Sequence, residues 1–211
     1  MLSARRESKL AEVRRSCLNP QRHRVVPLDL SDLTSIEAAV HTVLTECAPV
    51  DVLVNNAGIS QRASAMETDF SVMERILAVN LGGTVALTKC VLPEMIKRRS
   101  GQVVVISSVL GRIGAPMRSA YAASKHALHG YFESMRAEIY DQGVRISIVC
   151  PGYVATDISF NALTGQGQAN GKQSKGHATA MSPARCAHLI LRSVSQQKAE
   201  VTIGGREVWG V

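Results

Sequence analysis

Apolar positions along the chain fall into two alternating patterns. In ESKLAEVRRSCL (residues 7–18), Leu10, Val13, Cys17 and Leu18 recur at the spacing that lines one face of a helix. HRVVPLDL follows as a continuous apolar run ending at Asp29, the pattern of a buried strand. Ser31 stands where a helix cap is expected, ahead of SDLTSIEAAVHTVLTECA with Leu33, Ile36, Val40 and Leu44 at helical spacing. VDVLVNNAG predicts a second strand running into an Asn/Gly turn, and Phe70 to Arg98 a long helix. GQVVVISS, Ser119 to Tyr140, VRISIVCPG, residues 183–197 and EVTIGG continue the alternation as strand, helix, strand, helix and strand.

Strands that read as unbroken apolar runs are covered on both faces, which is how a parallel sheet between helix layers looks. The expected fold is α/β, a doubly wound, Rossmann-like parallel sheet. At 211 residues the chain fits a single domain, 1–211. One stretch breaks the pattern. Residues 161–182 are rich in Gly, Gln, Asn and Ser and unusually long for a connection. Following directly on the carboxyl end of a strand, they are expected to form a flexible lid over substrate, a disordered insert being the alternative.

Composition narrows the partners. The chain is 45% hydrophobic and 19% charged, ordinary for a globular protein. Aromatics are only 4%, so the core must rest on aliphatic side chains. The net charge of +7 is concentrated near the start: Arg5, Arg6, Lys9, Arg14, Arg15, Arg22 and Arg24 face only Glu7 and Glu12 within residues 1–24. The remainder is nearly balanced, and no basic stretch is interleaved with aromatics, which argues against nucleic acid. The five cysteines (Cys17, Cys47, Cys90, Cys150, Cys186) form no CxxC pair, so neither a metal site nor a disulfide framework is expected. No run of 18 apolar residues occurs, and no transmembrane segment is expected in this chain. Glu7 and Glu12 count against reading the Arg- and Ser-containing start as a transit peptide.

The strongest chemical signal is Tyr121-Ala-Ala-Ser-Lys125, whose i, i+4 spacing puts phenol and ammonium on one helix face. A phenol titrates near ~10, too high for proton exchange at neutral pH, and an adjacent cation favours phenolate. Ser108 lies thirteen residues upstream, at the end of the strand VVVISS. Asn55, Asn56, Ala57 and Gly58 end another strand, Asn80 sits in VNLGG early in the long helix, and PGYVATD (residues 151–157) ends a fourth. In order and spacing these motifs resemble the short-chain dehydrogenase/reductase family over nearly the whole chain. LSARRxxxL, LTKCVLPEMIKRR, AYAASKHAL and the PGY turn are similar to its member 7 and 7B subgroup.

The resemblance implies an oxidoreductase that interconverts a carbonyl and an alcohol. Tyr121 would be the general acid or base, Ser108 would hold the substrate oxygen, and Lys125 would bind the nicotinamide ribose and depress the Tyr121 pKa. Asn80 would hold a water in a proton relay. Asp29 would meet the adenine, Asn56, Ala57 and Gly58 would line the adenosine side, and Val154 and Thr156 would hold the carboxamide. Arg5, with Ser3 and Arg6 beside it, falls where the family recognises the adenosine 2′-phosphate. NADP(H) is therefore preferred, with NAD(H) possible. The solvated charge of a surface helix is the competing reading of Arg5 and Arg6. The subgroup implies small lipophilic carbonyls or alcohols, steroid-like or retinoid-like, a homodimer, and a cytoplasmic or endoplasmic-reticulum-associated location.

Nothing in the sequence supplies the strand and Thr-Gly-x-x-x-Gly-x-Gly turn that the family places ahead of the position matching Leu2. The expected sheet thus lacks the first strand and glycine-rich turn, with Met1 marking a truncated form. The strand ending at Asp29 should then have no continuous pairing path to the strand ending at Asn55. The alternative function is a catalytically silent relative acting through protein contacts.

Overall fold

A computed structural model describes residues 1–47, 49–173, 179–205 and 208. Its elements run β1 (Leu2–Ala4), α1 (Glu7–Ser16), β2 (Val25–Pro27), α2 (Leu33–Glu46), β3 (Val52–Asn55), α3 (Phe70–Leu77), a π-helical turn (Ala78–Gly83), α4 (Thr84–Arg98), β4 (Gly101–Ile106), α5 (Ser119–Glu138), β5 (Val144–Pro151), α6 (Pro183–Ser195) and β6 (Glu200–Ile203). Every strand pair is parallel. The α/β class and parallel sheet are thus as the apolar runs imply.

The sheet is in two pieces. β1 pairs with β2 alone, and β3-β4-β5-β6 form a separate four-stranded sheet. Among the described residues no ladder joins them, as the sequence leads one to expect. Val52 and Val54 on β3 remain 45% and 48% exposed. Helix α2 ties the pieces together from both sides. Its Val40 packs with Val91, Leu92 and Met95 in the main core, while Ala39 and Val43 close on Val26 of β2. The centre is aliphatic: Val103, Val105 and Ile148 lie against Leu128 and Met95, with Phe132 the one aromatic among the fully buried side chains.

Three local readings need correction. β1 was not foreseen, and it supplies the strand ahead of Arg5; three residues are too few to show a period. The run expected to end at Asp29 is a strand only over Val25–Pro27. Asp32 rather than Ser31 caps α2, its carboxylate accepting from the Thr34 N–H at 2.9 Å, while the Ser31 hydroxyl donates to Asp29 at 2.7 Å. A carboxylate is a good acceptor at a helix start, so Asp32 outcompetes its neighbour.

Helix ends are otherwise conventional. Ser182 caps α6 ahead of Pro183. Arg99 closes α4 with φ 51°, and the turn before β5 needs a glycine at residue 143: its φ is +76° and a Cβ would strike the Arg99 carbonyl.

The helical stretch Phe70–Arg98 has the length and mean hydropathy (1.5) of a membrane span, although no unbroken apolar run produces it. Within it, Ile76, Thr88 and Met95 are fully buried. The first half of segment 161–182 is built into the wall beside α5. Leu163 exchanges backbone hydrogen bonds with Ser60 and Arg62 at 2.8 and 2.7 Å, and Ala162 and Leu163 are buried. Residues 174–178 of that segment lie outside the described residues.

Candidate active site

The parallel sheet opens all its strands at one edge, and a cavity of about 310 Å³ lies at the carboxyl ends of β3, β4 and β5. Seven of the residues singled out from sequence line it: Asn56, Gly58, Ser108, Tyr121, Lys125, Val154 and Thr156. Tyr121 and Lys125 come from the first turns of α5, Ser108 from the end of β4, and Val154 and Thr156 from the loop after β5.

Asn80 sits behind this wall, 1% exposed. Its Oδ1 accepts from the Ile59 N–H at 2.8 Å, and its Nδ2 donates to the Ile59 carbonyl and the Ser124 hydroxyl, each at 2.9 Å. One side chain thus fixes the loop after β3 to α5. It stands on the π-helical turn between α3 and α4. Such one-turn expansions re-aim side chains and recur at functional sites. A Cβ on Gly58 would sit 3.1 Å from Asn80 Oδ1 and 3.7 Å from Lys125 Nζ, so the backbone there runs hard against both groups.

Lys125 is buried, and its ammonium donates to the Ile106 carbonyl at 2.8 Å. Burial brings its pKa down to about 8. The Tyr121 phenol shifts the other way, held above its ordinary value by burial, with Ser108 and then Arg118 pulling it down. The expectation that Lys125 depresses Tyr121 is therefore not met. Desolvation outweighs the charges nearby, and the ammonium is bonded to the Ile106 carbonyl.

Four predicted residues lie elsewhere. Ser3 and Arg5 are at β1, Arg6 at the start of α1, and Asp29 beyond β2, all on the two-stranded piece. Asp29 accepts from the N–H and hydroxyl of Ser31 at 2.9 and 2.7 Å, which hold its carboxyl below the usual range, with Arg5 adding to the effect. Ala57 is exposed in the loop between Asn56 and Gly58.

Two residues escaped the sequence reading. Gln61, fully buried, accepts from the Ala120 N–H at 2.9 Å and so holds the start of α5. Arg118, partly buried, donates to the Ser60 hydroxyl and the Gln61 carbonyl, both at 2.7 Å. Burial, and the nearby charge of Arg62, lower its pKa. Their partners lie 57 to 59 residues away in sequence, so no local pattern announces them.

The donor set fits a nicotinamide cofactor on the cavity side. A buried ammonium, a glycine whose missing Cβ leaves the Asn80–Lys125 wall open, and the Val154–Thr156 loop face one space.

A family model described as short chain dehydrogenase matches residues 1–166. A dehydrogenase/reductase SDR family protein 7-like of Anopheles gambiae is 42% identical over 209 residues, 96% of this chain and 66% of that one. A dehydrogenase/reductase SDR family member 7B of Xenopus laevis is 43% identical, covering 87% of this chain and 56% of that one. The chain thus spans between 56% and 66% of the length of these two curated relatives. A short-chain dehydrogenase from Streptomyces avermitilis superimposes with a TM-score of 0.83 at 27% identity, covering 98% of this chain and 79% of that one. A gluconate 5-dehydrogenase from Burkholderia cenocepacia, in complex with NADP and tartrate, gives 0.69 at 27% identity, covering 75% of this chain and 62% of that one.

Proposed function

Since the chain belongs to the short-chain dehydrogenase family, we propose that it is an NADP(H)-dependent oxidoreductase interconverting a carbonyl and an alcohol on a small lipophilic substrate. The observation that carries this reading is the meeting of Ser108, Tyr121 and Lys125 in one cavity, with Asn80 bracing its wall. The NADP held by the gluconate 5-dehydrogenase supports the cofactor choice, as does Arg5, a cation directly after β1 that would meet the adenosine 2′-phosphate. NAD(H) is the weaker candidate.

Bound nicotinamide supplies the hydride, and the chain's own groups handle the proton. Ser108 holds the substrate oxygen through its hydroxyl. Tyr121, kept as neutral phenol by burial, is the proton donor in reduction and, as phenolate, the acceptor in oxidation. Lys125, which already donates to the Ile106 carbonyl, would bind the nicotinamide ribose with its remaining N–H groups, and Asn80, which keeps the Ile59 loop and α5 in register, would hold a water in the proton relay. Asn56, Ala57 and Gly58 would line the adenosine side and Asp29 would meet the adenine, with Ser3 and Arg6 beside Arg5 at the 2′-phosphate, while Val154 and Thr156 would hold the carboxamide. The apolar contribution of Ile106, Ile158, Cys186 and Ile190 to the cavity suits a lipophilic substrate. Residues 1–211 act as one dinucleotide-binding domain, with 161–182 as a substrate lid anchored in its first half by the Leu163 backbone bonds to Ser60 and Arg62. A homodimer through the Phe70–Arg98 helical stretch and α5 belongs to the same reading, and Leu81, Tyr131 and Met135 line a hollow on that face. A cytoplasmic or endoplasmic-reticulum-associated location belongs to the same reading, as the family resemblance implies.

The test is NADPH consumption across a panel of lipophilic ketones and aldehydes. Turnover of at least one carbonyl, abolished by Tyr121→Phe, is expected; no turnover across the panel while NADPH binds would overturn the reading. A second reading, a catalytically silent chain working through protein contacts, draws on the unpaired edges of β1 and β3. It predicts association with a longer relative and no cofactor binding by the chain itself.

A further inference from the structure

Beneath the cavity, three side chains from separate elements converge without a role in the chemistry above. His129 lies one helical turn beyond Lys125 on α5, Cys150 is near the end of β5, and Glu200 opens β6. Candidate ligand atoms of the three all lie within 4.8 Å of one another. Cys150 Sγ is 3.6 Å from His129 Nε2 and 3.5 Å from Glu200 Oε1. Zinc bonds of about 2.3 Å to sulfur and about 2.0 Å to nitrogen or oxygen, at the tetrahedral angle, set S···N and S···O edges of about 3.5 Å.

We propose that His129, Cys150 and Glu200 bind one divalent cation of zinc-like character. Thiolate, imidazole and carboxylate together select a borderline-soft ion, whereas magnesium and calcium prefer all-oxygen sets. Three protein ligands leave a fourth position for water. The surrounding groups match such a site. Glu133, one turn further along α5, stands 3.5 Å from His129 Nδ1, where a carboxylate orients a ligating imidazole by taking its other N–H. Cys150 is fully buried and His129 nearly so, which fixes both in place. Glu200 and Arg112 reach solvent, which gives the ion a way in.

Arg112 is the competitor. Its guanidinium is ion-paired with Glu200, and its side chain is 41% exposed on the loop after β4. Uptake of the ion releases the thiol proton to solvent and exchanges the Arg112–Glu200 pair for a metal–carboxylate bond. Ser107 couples the site to the cavity: its hydroxyl contacts His129 Nε2 at 3.0 Å and the Lys125 carbonyl at 3.2 Å.

The test is titration of the metal-free full chain with Co²⁺, followed by thiolate-to-cobalt charge-transfer absorption in the near ultraviolet. One Co²⁺ per chain is expected, displaced by Zn²⁺ but not by Mg²⁺. Cys150→Ser should lose the band, His129→Gln should lose it or weaken it severalfold, and Cys90→Ser should keep it. Arg112→Ala leaves the buried core untouched and should tighten binding, because it removes the cation that competes for Glu200. Absence of the band in the native chain, its survival in Cys150→Ser, or weaker binding in Arg112→Ala would each overturn the proposal.

Discussion

The Lys125 ammonium lies 5.8 Å from the centroid of the Tyr121 ring, yet Lys125 is not among the causes that shift the phenol's pKa. Burial raises it, and Ser108 leads the groups that lower it. Proximity on a helix face brings two groups together, but burial decides how each titrates.

Tyr121→Phe removes the proton donor and keeps the ring. Turnover should fall by at least ~10²–10⁴-fold, the usual contribution of general acid–base catalysis, with NADPH binding nearly unchanged. Steady-state rates alongside cofactor titration check this; a variant retaining more than about a tenth of the rate would remove Tyr121 from the assignment.

Ser108→Ala should raise the Tyr121 pKa further, because the hydrogen bond from Ser108 is the largest effect lowering it. Ultraviolet titration of phenolate, taken as a difference against Tyr121→Phe, reads the change. An unmoved or lowered value would mean that Ser108 does not engage the phenol.

Burial of Lys125 has a pH signature. Its pKa falls to about 8 in the folded chain, so between about 8 and its ordinary unfolded value the unfolded state binds more protons, and stability rises with pH in that window. Below about pH 8 the penalty is fully present, on the order of 3 kcal/mol. Lys125→Met should flatten the rise seen by denaturant unfolding between about pH 8 and about pH 10. An equal rise in the variant assigns it to other groups. Above about pH 10 the raised Tyr121 pKa works in the opposite sense.

Asn80→Ala strands the N–H and carbonyl of Ile59 and takes away the bond the Ser124 hydroxyl accepts, leaving only the one it donates to the Tyr121 carbonyl. Unpaired buried groups cost about 1–3 kcal/mol each, so the denaturation midpoint should drop clearly. A loss below about 0.5 kcal/mol would show that water takes over these bonds.

Arg5→Ala should weaken NADPH binding roughly ten- to a hundredfold and leave NADH binding nearly unchanged, since only NADPH carries the 2′-phosphate. Calorimetric titration with both cofactors decides it. Equal losses would mean that Arg5 supports the small sheet and reads no phosphate.

The sequence by itself determined the α/β class, the strands from Val52 onward and the helix that aligns Tyr121 with Lys125, because unbroken apolar runs and a four-residue spacing are local consequences of backbone geometry. It also indicated that the strands near Asp29 and Asn55 would not join one sheet. Only the tertiary structure decided what depends on partners distant in sequence. It placed β1 beside β2, set Gln61 on the start of α5 and gave Asn80 its bonds across the π-helical turn. It also gathered His129, Cys150 and Glu200 from three elements. The direction of the Tyr121 shift belongs with these. Desolvation is a property of the packed surroundings, and no spacing along the chain encodes how much water a side chain loses.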